Sequence, residues 1–182
     1  NKNLDIVKII NIIPPNPKKP ISYKVNYNHI NHIFKNKDKF YVSLNWLTTK
    51  QYGSSGICVL NNNYEEIDRF KFGWEIHNFE IVDGKRVCVL GTSGTRKKIN
   101  HPHVGGLMVD GKVVFKHDPD ESFCKALSYD KRFYYLGGGE KSDRNLRKDK
   151  SAYIYIIKKS NFKLFRKVFL DNIAPIKGLY VI

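Results

Sequence analysis

The sequence predicts an all-β fold built from repeated antiparallel units, and three observations carry that expectation. The stretch Glu75–Leu90 (EIHNFEIVDGKRVCVL) recurs upstream as His29–Leu44 (HINHIFKNKDKFYVSL) and downstream as Phe123–Leu136 (FCKALSYDKRFYYL), with a shorter copy from Ile176 (IKGLYVI). The first apolar residues of the second strands, Phe40, Val87 and Phe133, step by 47 and then 46 residues. Aromatic residues make up 13% of the chain, which suits strands, and no long amphipathic helical pattern competes with them. Self-similarity at about 40–50 residues is the signature of four-stranded blades. The fold class expected is therefore antiparallel four-stranded blades of a β-propeller, about three blades plus flanking strands, in a partial ring. A sandwich would also show short strands between turns, but would not be expected to repeat its second strand at this period.

The elements follow in order. Leu4–Ile13 alternates loosely and reads as an outer fourth strand, and Pro14, Pro15, Pro17 and Pro20 form a stiff extended connection. The first blade (28–75) reads as strands at Asn31–Phe34, Phe40–Leu44, Ile57–Leu60 and Glu66–Phe72. The second (76–121) reads as Asn78–Val82, Val87–Gly91, Gly106–Val109 and Lys112–Phe115. The third (122–173) reads as Lys125–Ser128, Phe133–Leu136, Ala152–Ile157 and Leu164–Leu170, and Leu179–Ile182 opens a further first strand. Short polar turns join third and fourth strands: Asn61–Asn63, Asp110-Gly111 and Lys158–Asn161, of which Asp-Gly is the strongest hairpin signal. A chain that starts in a fourth strand and stops in a first one predicts a piece of a longer single domain over 1–182, or one that self-associates through open blade edges.

Composition narrows the setting. The formal charge is +15, from 32 Lys and Arg against 17 Asp and Glu, which suits an anionic partner. Most of the Lys residues stand singly at solvent-facing positions, so nucleic acid is a possible but not favoured partner, through Arg96–Lys98 and Arg144–Lys150. No apolar run reaches the 18 residues of a membrane span, so no membrane partner is expected. Cys58, Cys88 and Cys124 sit in apolar strand patterns at no metal-ligand spacing and read as buried free thiols. An odd count in strands points to a reducing, cytoplasmic setting.

Candidate site residues gather on one rim. In a propeller the second-to-third-strand loops (45–56, 91–105, 137–150) and the fourth-to-first-strand connections (72–76, 116–122, 171–175) open on the same face, while the opposite face has only short turns. Long loops on a rigid scaffold usually carry function. His29, Asn31 and His32 open the first innermost strand, and His77 and Asn78 the second, where Trp74 and Glu75 precede them. His29, Asn31, His32, Trp74 and Asn78, with Arg96, His103 and Arg144 in the long loops, are the expected ligand-binding set for a small polar or anionic molecule, or for a protein. Inner carboxylates such as Glu75, Asp118, Asp120, Glu121 and Asp171 could hold a hard divalent cation such as calcium, although Asp118-Pro119-Asp120 also reads as a plain turn. Gly137–Gly139 lacks the following Lys-Ser/Thr of a phosphate loop. His101-Pro102-His103 lacks a third ligand at a diagnostic spacing.

The motif NHINHI, followed one repeat later by EIHNFEIVDGKRVCVL, resembles uncharacterised bacterial proteins of the six-bladed β-propeller type, in which His-x-Asn or His-Asn opens innermost strands. The resemblance covers about 28–136. Six-bladed relatives of the gluconolactonase type hold a channel-mouth metal with Glu, Asn and Asp. The resemblance therefore implies Glu75, Asn78 and Glu121 as metal ligands in a hydrolase or lactonase. His77 would then be the general base that deprotonates water. The expectation from the residues themselves is a binding or scaffold module, with this hydrolase as the alternative.

Overall fold

The computed structural model describes residues 30–45, 54–91, 104–118, 121–142, 146, 149–171 and 173–181. Twelve strands fall into three four-stranded antiparallel sheets, each a simple meander in chain order. The first holds β1 (Ile30–Asn36), β2 (Lys39–Leu44), β3 (Gly56–Leu60) and β4 (Glu66–Lys71). The second holds β5 (Ile76–Val82), β6 (Lys85–Leu90), β7 (Gly105–Val109) and β8 (Lys112–His117). The third holds β9 (Ser122–Tyr129), β10 (Phe133–Glu140), β11 (Ala152–Lys158) and β12 (Leu164–Leu170). Among the described residues no α-helix occurs, and none is long and apolar enough to cross a membrane.

Hairpin chemistry sets the registers. Asp83-Gly84 and Asp110-Gly111 have positive φ at both residues, the conformation that lets two-residue loops follow strand twist. Asp110 also ties its turn to β6. Its amide donates to the Arg86 carbonyl (2.8 Å), and its Oδ1 accepts from the Arg86 amide (2.9 Å).

Burial explains why the second strands read as continuous apolar runs. β6 is buried on both faces: Val87 and Val89 pack toward the third sheet, Cys88 and Leu90 toward the first. On the first-sheet side Phe79 meets Phe72 edge-on at 5.3 Å and Tyr41 at 5.6 Å. Phe79 is wholly buried, which contributes about 2–3 kcal/mol. On the other side Leu107 and Val109 pack with Leu127, Tyr134, Leu136 and Ile157. All three cysteines are free and buried, as their apolar patterns predict. Burial raises the Cys58 thiol to about 11 and pushes Cys88 and Cys124 up as well.

The pairing sets the repeat at other positions than the sequence marker does. Ile30 faces Leu44, Ile76 faces Leu90, and Cys124 faces Gly138. Each first hairpin therefore pairs residues 14 apart, and the step from Ile30 to Ile76 to Cys124 is 46 and then 48 residues. Each first strand has a register irregularity just after that pair, so Asn31, His77 and Lys125 are equivalent. Asn31 is therefore the counterpart of His77 and not of Asn78. A bulge adds one residue and breaks the period-two count on which face assignments rest.

Two strand expectations differ from the structure. Gly137–Gly139, read as loop, lies inside β10. These glycines admit close neighbours: a Cβ on Gly138 would collide with the Phe123 carbonyl, and one on Gly137 would crowd Ile176 and Leu179. Residues 173–181 form no strand. Instead Pro175, Ile176 and Leu179 lie over the glycine face of the third sheet, and the Ile176 amide donates to the Gly138 carbonyl (3.1 Å). A strand needs a pairing partner, and none follows among the described residues. The expected Leu4–Ile13 strand and the proline connection lie outside the described residues.

Candidate functional site

The bulge places two polar side chains of β1 against β5. Asn31 Nδ2 donates to the Ile76 carbonyl (2.6 Å), and the His32 ring is hydrogen-bonded to the Phe79 backbone. Alternation alone would put Asn31 and His32 on opposite faces. Both are half-buried here, while Ile30 and Ile33 are exposed. Burial holds the His32 imidazole below its usual range, and the backbone bond opposes that shift. Its buried Nδ1 has no partner among the described residues.

The connection into β5 is equally constrained. Ser55 Oγ donates to the Asn45 carbonyl (2.6 Å) and accepts from the Ile76 amide (3.3 Å). Trp74 Nε1 donates to the Val104 carbonyl (3.2 Å), and the Glu75 carbonyl accepts from the Gly91 amide (2.9 Å). Glu75 itself has φ +45°, a conformation uncommon for a residue with a Cβ. His77 lies over Gly91, where any side chain would clash with its ring. Asn78 is half-buried on the same bulge. Asn31 and His32 thus bond to the backbone of β5, whereas Trp74 reaches Val104 and His77 lies over Gly91.

The other expected residues do not join them. Glu121 is exposed and 4.0 Å from Lys167, and Asp171 accepts from Ser151 Oγ (3.4 Å). Among the described residues no three His, Cys, Asp or Glu side chains cluster as a metal site. His29, Arg96–Lys98, His103, Asp120, Arg144 and Arg147 lie outside the described residues.

A hydrogen-bonded cluster that no motif announces joins the second and third sheets. Ser122 Oγ lies 3.2 Å from His117 Nδ1 and 2.8 Å from Tyr155 Oη, and the His117 ring stacks on Tyr155 at 5.9 Å. A nucleophile beside an imidazole is the start of a catalytic arrangement. Ser122, however, is wholly buried, and His117 Nε2 has no partner among the described residues to orient the ring from behind. Burial keeps the imidazole neutral by lowering its pKa, more than the Asp118 carbonyl (3.2 Å) and the Asp118 charge raise it. As arranged, the cluster fastens β8, β9 and β11 together.

The opposite rim carries a second missed feature. Glu80 on β5 is half-buried, and desolvation raises its carboxyl to about 7. Its neighbour Tyr129 is raised by burial and, secondarily, by the charges of Glu80 and Asp83. Beyond Asp83 an open cleft of about 510 Å³ separates the turns of the second and third sheets. Asp83, Lys131, Arg132, Phe133, Lys158, Lys159 and Ser160 line it. The turns at 130–133 and 158–161 read as plain hairpin connections in sequence. Only the packing of three turns brings these cations together.

Compared with known proteins, the chain matches no family model, no curated protein and no solved structure.

Proposed function

We propose that this chain is a run of propeller-type blades serving as a binding module for a small polar or anionic ligand. The observation that carries the reading is the recurrence of one bulge in all three first strands, with polar Asn31, His77 and Lys125 at the same place. The direct bond from Asn31 to Ile76 supports first strands packed side by side, as around an axis. A chain with net charge +15 favours an anion over a cation. The alternative, a metal-dependent hydrolase with Glu75, Asn78 and Glu121 on calcium and His77 as base, would need Glu121 beside Glu75 and Asn78, whereas Glu121 lies exposed by Lys167.

Thermal unfolding in the presence of phosphate, pyrophosphate and calcium separates the two. The binding reading expects pyrophosphate to raise Tm progressively, with the logarithm of its concentration once that exceeds Kd, because a ligand selective for the folded state stabilises it. Calcium should have no effect that Glu75→Gln removes. Stabilisation by calcium that disappears in Glu75→Gln, without any effect of anions, would transfer the assignment to the hydrolase.

A further inference from the structure

We infer that the cleft between the Asp83-Gly84, Asp130–Phe133 and Lys158–Asn161 turns is a binding site for a small phosphate ester or similar dianion. This names a ligand class and a place for the binding module proposed above, and it rests on that reading. It also moves the site from the long-loop rim to the short-turn rim.

Four cationic side chains and one carboxylate line the cleft. That carboxylate, Asp83, is already committed: Lys159 Nζ lies 2.9 Å from its Oδ2. Lys159 is only 12% exposed and is also held over the rings of Tyr129 (4.9 Å) and Tyr134 (5.2 Å). Lys131, Arg132 and Lys158 form no ion pair with any described carboxylate. Aromatic faces position two of them instead. The Arg132 guanidinium sits 5.0 Å from the Phe133 ring centre and the Lys158 ammonium 5.5 Å from that of Phe165. A ring face orients a cation while leaving its N–H groups able to meet an anion.

The acid that opens one of these turns, Asp130, is committed to its own turn. Asp130 accepts from the Arg132 and Phe133 amides (2.6 and 2.7 Å) and from Tyr135 Oη (2.7 Å). These bonds, Tyr135 first, hold its carboxyl below the usual range. They also stiffen one wall, which the Lys159 amide joins to the other by donating to the Arg132 carbonyl (2.9 Å). The cleft is therefore a pre-set, net-positive concavity with a serine hydroxyl and an aromatic edge, within the usual size range of small-molecule sites.

The test is calorimetric titration of the full chain with inorganic pyrophosphate, in the wild type and in Lys131→Glu/Lys158→Glu. Lys131→Gln/Lys158→Gln serves if charge reversal impairs folding, and Lys112→Glu/Lys116→Glu on β8 is the charge-matched control. Expected are saturable one-to-one binding by wild type and control, at least tenfold weaker binding in the cleft variants, and weakening with salt. Pyrophosphate binding that is equal in wild type and cleft variants overturns the cleft and leaves the binding-module reading intact. Failure of wild type to bind pyrophosphate, with a short single-stranded DNA bound equally by all variants, overturns the cleft in favour of nucleic acid.

Discussion

Replacing Glu80 by Gln should stabilise the protein in alkaline solution and leave it nearly unchanged in acid. Glu80 lies on β5, an edge strand of the second sheet, and burial raises its carboxyl from 4.5 to about 7. The folded state therefore holds this proton more tightly than the unfolded state does. Between those two values folding takes up a proton, so stability falls as pH rises, and the full penalty stands above pH 7. At about 1.4 kcal/mol per tenfold step, the change corresponds to an upper bound of about 3 kcal/mol. Glu80 is only half-buried, so solvent screening reduces that figure to about 1–2 kcal/mol. Urea unfolding of wild type and Glu80→Gln, followed by tryptophan fluorescence at pH 4.5 and pH 8, measures the difference. The histidines contribute equally to both proteins and cancel. A gain of about 1–2 kcal/mol at pH 8 that shrinks toward zero at pH 4.5 is expected. An equal effect at both pH values, or a loss at pH 8, would refute the reasoning.

Other substitutions test the packing account. Gly138→Ala should cost about 3 kcal/mol or more, because the new methyl meets the Phe123 carbonyl, which cannot swing aside as a side chain can; chemical denaturation reads this directly. Asn31→Ala should cost about 1 kcal/mol by removing the donor to Ile76, and the same unfolding measurement checks it. Tyr155→Phe should cost a similar amount, since Ser122 then loses its 2.8 Å partner. His32 and His117 are both held below the usual imidazole range, so the unfolded chain takes up protons first as pH falls. Their contribution is present above about pH 6.5 and is lost in more acid solution, a trend opposite to that of Glu80. His117→Phe should weaken that acid-side loss in a plot of stability against pH.

The strands were legible because their signals are local. Val87–Leu90 reads as apolar on every residue since both faces of β6 are covered, and Asp110-Gly111 marks its own turn. The bulges were not legible. A single extra residue at Asn31 leaves the composition of the strand unchanged while turning everything before it to the other face, so alternation alone misassigns the faces of Asn31 and His32. Gly137–Gly139 misled in the opposite direction: glycine signals a turn when read locally, whereas here it admits Phe123 on one side and Ile176 on the other. The features around Glu80, the Ser122 cluster and the cleft depend on contacts between sheets. Lys131 and Lys158 come from turns on different hairpins, and neither turn differs in sequence from an ordinary solvated connection.

Chemical-shift mapping of backbone amides during a pyrophosphate titration tests the account most directly, because it reports at once whether an anion binds and at which rim. The account predicts saturable shifts concentrated at Asp83, Lys131–Phe133 and Lys158–Ser160. Shifts concentrated instead at Trp74–Asn78 and Asn31, with the cleft silent, would contradict the cleft assignment, and the absence of any saturable shift would contradict anion binding altogether.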